Sequence, residues 1–431
     1  MWFSGLCQKK NATLPPPNII FILADDLGYE TLPIYGGTSY ETPNISKLAT
    51  EGTSMNYCFA QPQCTPSRVK LLTGMYNVRN YVRFGLLDTT QITVANLLQK
   101  AGYTTGVAGK WQLGKNESNT AQLGFDESLV WQLTTSRVDE NGRDTRYSEP
   151  ILEQHGQMKK YSFESYGPTI INDFSLDFIE RHAQDDSPFF LFYSMLLPHC
   201  PFSPTPDSED WENNRKDVMT YKGDVENFGE MVNYMDKMIG RIVDKIENLG
   251  LSENTLIIFT GDNGTDTPVL SMLNGNAVPG GKLLSTDAGT RVPMIAKWSG
   301  RISSNTLKTE LIDFSDFMPT FLEAAKVEVP KDLLLDGKSF LPALEGKESE
   351  PRKWIYSWYL RTDTNKQRVF ARNHILKLYD SGEFYNVEQD VLEQHPILIS
   401  SLNSNEQTVY NQLKKVIDHY AKKRLEEANN D

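Results

Sequence analysis

Three stretches of the chain are apolar almost without interruption and end on polar, chemistry-bearing residues. Residues 18–24 are apolar and β-branched, then stop at Asp25-Asp26-Leu27-Gly28. Residues 255–260 stop at Gly261-Asp262-Asn263-Gly264, and residues 188–194 lead into Leu197-Pro198-His199. Continuous rather than alternating apolarity is the pattern of a strand covered on both faces of a parallel sheet. Between the last two in space of sequence, Val225, Phe228, Val232, Met235, Ile239, Ile242, Ile246 and Leu249 recur at three- and four-residue intervals before Gly250. This predicts an amphipathic helix whose apolar stripe is core. Strands alternating with helices predict an α/β fold with a large mixed, mostly parallel sheet flanked by helices. Ligands in such sheets collect beyond the carboxyl ends of the strands, so the pattern directs the two acidic turns and His199 to one edge.

Beyond residue 350 the texture changes. Residues 354–359, 369–372 and 375–379 are short, aromatic and β-branched, with polar turns such as Asp380-Ser381-Gly382 between them. They predict an antiparallel sheet, followed by a helix over roughly 403–427. The expected organisation is an extended lead-in over 1–17 ending in Pro15-Pro16-Pro17, a main α/β domain over 18–350, and a smaller C-terminal α+β subdomain over 351–431. A chain of 431 residues exceeds the size at which a single core stops growing, in keeping with a second unit.

Composition narrows the function. With 39% hydrophobic and 11% aromatic residues the chain can bury a sizeable core, which excludes global disorder. A formal charge of −13 excludes the broad basic face of a nucleic-acid binder, so an anionic substrate must meet a local cationic pocket. The cysteines Cys7, Cys58, Cys64 and Cys200 match no zinc spacing and are too sparse for a disulfide framework. A Cys58–Cys200 bridge is one alternative, and buried free thiols are the expectation. No apolar run approaches the ~20 residues of a membrane span. The first six residues are too short for a signal peptide.

Asp25 and Asp26 are adjacent carboxylates at a strand end, and they repel unless a cation or proton lies between them. With Asp262 and Asn263 they offer only hard oxygen donors, which suits calcium or magnesium rather than zinc. Taken singly, each turn also reads as an ordinary surface turn. The most specific segment is Gln61-Pro62-Gln63-Cys64-Thr65-Pro66-Ser67-Arg68, continuing through Leu71-Leu72-Thr73-Gly74. Proline is tolerated in a first helical turn, which puts Cys64 near a helix N-terminus, where free N–H groups favour an anion. A thiol hydrolase would use such a cysteine too, but leaves Arg68 and the acidic strand ends unexplained.

The run Cys64-Thr65-Pro66-Ser67-Arg68 with its Leu-Leu-Thr-Gly sequel resembles the signature of the formylglycine-dependent type I sulfatases, members of the alkaline phosphatase superfamily. The likeness extends from Asn18 to about Asn386. Gly109-Lys110-Trp111-Gln112-Leu113-Gly114 resembles the family's Gly-Lys-Trp-His-Leu-Gly, Pro198-His199-Cys200-Pro201-Phe202 its Pro-His-x-Pro-Phe, and Gly280-Gly281-Lys282 its second sulfate-binding lysine. The resemblance implies that Cys64 is oxidised to formylglycine by a maturation enzyme, and that the hydrated aldehyde is the nucleophile. It implies that Asp25, Asp26, Asp262 and Asn263 hold a calcium ion, magnesium being the second choice, which also holds residue 64. Arg68 would orient the nucleophile, Lys110 and Lys282 neutralise sulfate oxygens, and His199 bind the ester and protonate the leaving oxygen. Fixed cations in a water-excluding pocket stabilise the charge that develops when a sulfate ester breaks.

Gln112 stands where the family has a histidine that takes a proton when sulfate leaves. Glutamine can hydrogen-bond to the nucleophile but cannot take a proton. His155 and His374 are the other histidines singled out as substitutes, and Leu283 and Asp287 replace the family's glycine and glutamate after the second lysine. The expected function is removal of sulfate from a carbohydrate sulfate, as in polysaccharide degradation, with Gln112 among the substrate contacts and Arg79, Arg83, Arg137, Arg143 and Arg146 as candidate grips on the sugar. Two alternatives stand beside it: a phosphonate monoester or phosphodiester hydrolase, and a catalytically impaired binder of sulfated glycans. A periplasmic or secreted location is favoured, with no signal peptide in the chain itself, no nucleic-acid partner and no membrane span.

Overall fold

The computed structural model describes residues 15–162, 164–211, 221–361, 364 and 366–424. Most of the expected lead-in, together with Cys7, lies outside the described residues. In chain order the strands are β1 (Asn18–Ala24), β2 (Thr53–Phe59), β3 (Thr104–Lys110), β4 (Glu127–Trp131), β5 (Ile151–Gln154), β6 (Gln157–Lys160), β7 (Phe189–Ser194) and β8 (Thr255–Gly261). A separate hairpin, β9 (Leu270–Leu273) and β10 (Asn276–Pro279), precedes β11 (Arg291–Val292), β12 (Met294–Lys297) and β13 (Thr306–Asp313). Eleven of these form one sheet in the order β11-β2-β12-β8-β1-β7-β3-β4-β5-β6, with β13 alongside β2.

The centre of that sheet, β8-β1-β7-β3-β4, is parallel. Antiparallel pairs flank it, β12 with β8 on one side and β5 with β4 on the other. The three uninterrupted apolar runs are therefore the three adjacent central strands, and each is buried at every position. Alternate side chains of β1 serve opposite faces: Ile19, Phe21 and Leu23 join one hydrophobic cluster, Ile20, Ile22 and Ala24 the other. Each such side chain contributes about 1.5–3 kcal/mol on burial, which is why the run admits no polar residue until the strand ends. Register then decides the chemistry: Ala24 lies opposite Gly261, so Asp25 and Asp262, the next residues, emerge side by side.

The helix Phe228–Asn248 packs the predicted stripe against the second face. Val225 departs from the expectation. It sits in the 3-10 turn Val225–Asn227 before the helix and is exposed, because the stripe begins only once helical periodicity does.

The C-terminal antiparallel sheet is β14 (Ile355–Arg361), β15 (Lys366–Arg372), β16 (Leu376–Tyr379) and β17 (Phe384–Asn386), in that spatial order. The following helix spans Ser404–Ala421, capped by Asn403 and Glu406, and ends short of the expected boundary. Tyr356, Trp358 and Leu378 of this sheet share the hydrophobic cluster of Ile19, Phe21 and Leu23, so the two sheets are joined by one apolar layer. Among the described residues, no helix is long and apolar enough to cross a membrane.

Candidate active site

At the carboxyl edge of β1 and β8 the chain turns sharply. Asp26 takes a left-handed backbone, φ 66°, uncommon for a residue with a side chain, and this directs its carboxyl back over the strand ends. Its backbone N–H donates to Asp262 Oδ1 at 3.1 Å, and Asn263 Nδ2 donates to Asp26 Oδ1 at 2.8 Å. Asp25, Asp26, Asp262 and Asn263 are all buried. One ligand atom each of Asp25, Asp262 and Cys64 lie within 4.8 Å of one another, as do those of Asp25, Asp26 and His199.

Cys64 is the first residue of the helix Cys64–Thr73, all of which is buried. Ser67 closes the turn into it: its hydroxyl donates to the carbonyls of Gln61 and Gln63 and accepts from Gln61 N–H. From the next turn Arg68 reaches Asp262 Oδ2 with Nε at 3.1 Å and Nη2 at 3.0 Å. Its Nη1 meets the Lys110 carbonyl at 3.0 Å and the Ser194 hydroxyl, so one guanidinium ties the helix to β8, β3 and β7. The C-terminal sheet braces the same segment through Ser357 Oγ on Gln61 Oε1 at 2.8 Å and Tyr359 OH on Gln63 Oε1 at 3.3 Å.

Two lysines meet the acidic turn. Lys110, the last residue of β3, places Nζ 2.8 Å from Asp25 Oδ1, and Lys282 Nζ lies 2.5 Å from Asp26 Oδ2 and 3.1 Å from His199 Nε2. Burial pushes the carboxyls of Asp25 and Asp26 above the ordinary range, opposed chiefly by Lys110 and Lys282 respectively. Burial works against charge on the lysines too, but the carboxylates overcome it and hold Lys282 well above the usual lysine value. His199 is pushed far down by burial and by Lys282, Arg146 and Lys110, which keeps the ring neutral. Its Nδ1 lies 2.6 Å from Arg146 Nη1, and Arg146 stacks on Trp131 with its guanidinium 4.5 Å from the ring centre. Burial also raises the Cys64 thiol, against the pull of Lys110.

These groups open on a cavity of about 540 Å³ lined by Cys64, Lys110, Gln112, His199 and Lys282, with Phe84, Trp131, Arg137, Tyr221 and Asp266 as further walls. Cys64, Arg68, Lys110, Gln112, His199 and Lys282 are thus brought together with the acidic turns of Asp25-Asp26 and Asp262-Asn263. Leu283 takes a positive φ, 72°, a backbone that glycine would adopt without strain, and Asp287 is occupied by an ion pair with Arg372. Of the suggested sugar grips, Arg137 and Arg146 reach the cavity. Arg79 is bound to Asp336, Arg83 lines a different cavity, and Arg143 pairs with Asp139 and Glu149. Neither suggested substitute base is present: His155 sits in the turn between β5 and β6, and His374 packs on Tyr57 and bonds to the Thr309 carbonyl. Sequence reasoning missed Ser194, although a polar residue ending a buried strand was a usable signal. It also missed Gln132, which no local pattern marks.

The residues fit a hard divalent cation. Asn263 Oδ1 is buried and has no hydrogen-bond partner, although it sits among three carboxylates. An orphaned acceptor in such company is costly unless a cation takes it up. Three carboxylates against Lys110, Lys282 and Arg68 leave the cluster balanced, so a divalent ion would make it net positive, as an anionic ester requires.

A family model described as Sulfatase matches residues 17–327, and one described as N-sulphoglucosamine sulphohydrolase, C-terminal, matches residues 281–423. The N-acetylgalactosamine-6-sulfatase of Canis lupus familiaris is 30% identical over 372 residues, 79% of this chain and 68% of that protein. The N-acetylgalactosamine-6-O-sulfatase of Bacteroides thetaiotaomicron is 29% identical over 424 residues, 81% of this chain and 80% of that one. The chain spans about two thirds of the length of the mammalian relatives it matches. A solved structure of Ps i-CgsB in complex with k-i-k-neocarrahexaose superposes with a TM-score of 0.78 at 24% identity, covering 95% of this chain and 94% of that one, a likeness of fold.

Proposed function

The chain belongs to the sulfatase family and is a sulfuric ester hydrolase, and on that premise we propose that it removes sulfate from a carbohydrate sulfate. The reading includes conversion of Cys64 to formylglycine by a maturation enzyme, a calcium ion on Asp25, Asp26, Asp262 and Asn263, and a catalytic unit over 18–350. One observation carries it: the four buried oxygen donors of two strand ends cluster against Cys64, Lys110 and Lys282, and those three line a single cavity.

The formylglycine hydrate would supply the attacking hydroxyl, and the cation would lower the cost of its ionisation and of charge on the sulfate. The chain's own residues do the rest. Lys110 and Lys282 face the cavity as fixed cations for sulfate oxygens. His199, neutral and packed beside the Lys282 ammonium, is placed to contact the ester oxygen as charge builds on it. Arg68 immobilises Asp262 and the start of the nucleophile helix together, which holds residue 64 in attacking position. The aromatic walls Phe84, Trp131 and Tyr221 suit a sugar ring, and Arg137, 4.7 Å from the centre of the Tyr221 ring, suits its polar substituents. The names of the relatives, N-acetylgalactosamine 6-sulfatases, support a sulfated sugar as substrate.

The test is sulfate release by protein co-expressed with a maturation enzyme, across sulfated mono- and oligosaccharides, beside an aryl phosphonate and a bis-aryl phosphate. Release from at least one sugar sulfate, abolished by Cys64→Ala with the fold intact, is expected. Faster cleavage of the phosphorus esters than of every sulfate tried would overturn the substrate reading.

A further inference from the structure

Gln112 and Gln132 share an unusual pairing. Lys110 lies opposite Trp131 at the ends of β3 and β4, and immediately beyond them both glutamines adopt left-handed backbone, φ 52° and 60°. Glutamine has no intrinsic liking for that region, and two such residues side by side at a cavity wall mark a conformation the surroundings impose. The conformation faces the two side chains toward each other. Gln112 Nε2 donates to Gln132 Oε1 at 3.2 Å, and Cys64 Sγ–H donates to Gln112 Oε1 at 3.3 Å.

An amide has one accepting and one donating end, and unaided it could turn either toward residue 64. Gln132 settles that choice in the arrangement observed: its carbonyl oxygen, rather than its own NH2, faces Gln112 and accepts from the Gln112 NH2, which leaves the Gln112 carbonyl facing residue 64. We propose that Gln132 is a positioning residue for the reaction, one that holds the Gln112 amide with its acceptor toward the hydroxyl borne by residue 64. This rests on the sulfatase reading and deepens it. Where the family has a histidine, this chain has a pair of amides that orients the nucleophile's proton without taking it. Were Gln112 reversed, its NH2 would donate to the nucleophile oxygen and occupy the lone pair that attacks.

The unmodified thiol gives a readout that needs no sulfatase activity. A carbonyl facing Cys64 favours S–H over thiolate, whereas an NH2 facing it favours thiolate. Gln132→Asn tolerates the same backbone but is one methylene short of Gln112, and Gln132→Gly suits that φ without strain and supplies the same comparison should asparagine disturb the fold. In protein carrying the thiol, alkylation of Cys64 by iodoacetamide at fixed pH is expected to quicken about three- to tenfold in both, the worth of one hydrogen bond, and to stay within about twofold in Gln132→Glu, whose carboxylate still accepts. In matured protein, Gln132→Asn is expected to lower kcat about tenfold with KM within about twofold, and Gln132→Glu to restore most of it. Unchanged alkylation and unchanged kcat in the asparagine and glycine variants overturn the proposal. Altered alkylation in a protein that releases sulfate from no ester leaves the orientation of the Gln112 amide standing and removes the functional reading instead.

Discussion

Arg68 and Asp262 are fully buried and joined by two contacts to one carboxylate oxygen, from Nε at 3.1 Å and Nη2 at 3.0 Å. The pair links the helix that presents Cys64 to the strand end that presents Asn263. Removing one partner of a buried pair strands the other charge, which costs about 3–5 kcal/mol. Arg68→Met, close in bulk but uncharged, is therefore expected to lose that much stability in urea unfolding with chelator present, and less with calcium, which can compensate Asp262. A loss below about 1 kcal/mol would mean the guanidinium is not what holds Asp262.

The orphaned Oδ1 of Asn263 predicts a response to cations. Calcium is expected to raise the melting temperature relative to chelator, contributing about 2.7 kcal/mol at a hundred times its dissociation constant. Asn263→Ala should need at least about tenfold more calcium for the same shift, because it deletes one oxygen of the donor set. Identical calcium titrations for the two proteins would remove Asn263 from that set.

Gln112 invites the reverse substitution. Histidine is several-fold enriched at positive φ, so Gln112→His suits the backbone at 52° and can still donate to Gln132 Oε1. The variant is expected to keep or raise kcat and to gain a limb in its pH profile near the ordinary histidine value of about 6.5, absent in the parent. A profile identical to the parent's would show that residue 112 handles no proton in either protein.

Glu30 carries a pH-dependent cost unrelated to turnover. It is buried beside Thr265, whose hydroxyl donates to Oε1 at 2.5 Å while Oε2 has no partner. Burial pushes its carboxyl from 4.5 up to about 7, against the Thr265 hydrogen bond. A raised folded-state value means that this stability is complete below about 4.5 and is lost as pH climbs through about 7. The stability of the parent relative to Glu30→Gln should therefore fall by about 2 kcal/mol between about pH 5.5 and about pH 8. Parallel stability curves for the two proteins would place the Glu30 carboxyl at its ordinary value.

The central strands were legible because a strand buried on both faces must be apolar at every position, and little else in a chain looks like residues 18–24 or 255–260. The helix Phe228–Asn248 was legible for the same reason at a different period. The flanking antiparallel strands left weaker traces. β6 is exposed throughout and short, and β11 has two residues, so neither carries a hydrophobic pattern to read. The C-terminal sheet was recognisable by its aromatic and β-branched residues, but its sharing of a core with β1 was not, since contact between Phe21 and the layer holding Tyr356 is a matter of docking.

The site divides along the same line. The sequence by itself determined which groups are available and where each leaves its strand: Asp25 after β1, Asp262 after β8, His199 after β7 and Cys64 at a helix start, because local apolarity and turn chemistry act over a few residues. Only the tertiary structure decided who meets whom. The register of Ala24 with Gly261 sets Asp25 beside Asp262, and the left-handed turns at Asp26, Gln112 and Gln132 aim side chains that an extended backbone would have sent elsewhere. The same packing discarded His155 and His374 as proton acceptors and recruited Ser194 and Gln132. Residues dozens to hundreds of positions apart are brought within hydrogen-bonding distance by sheet registry and core packing, and no local pattern encodes that distance.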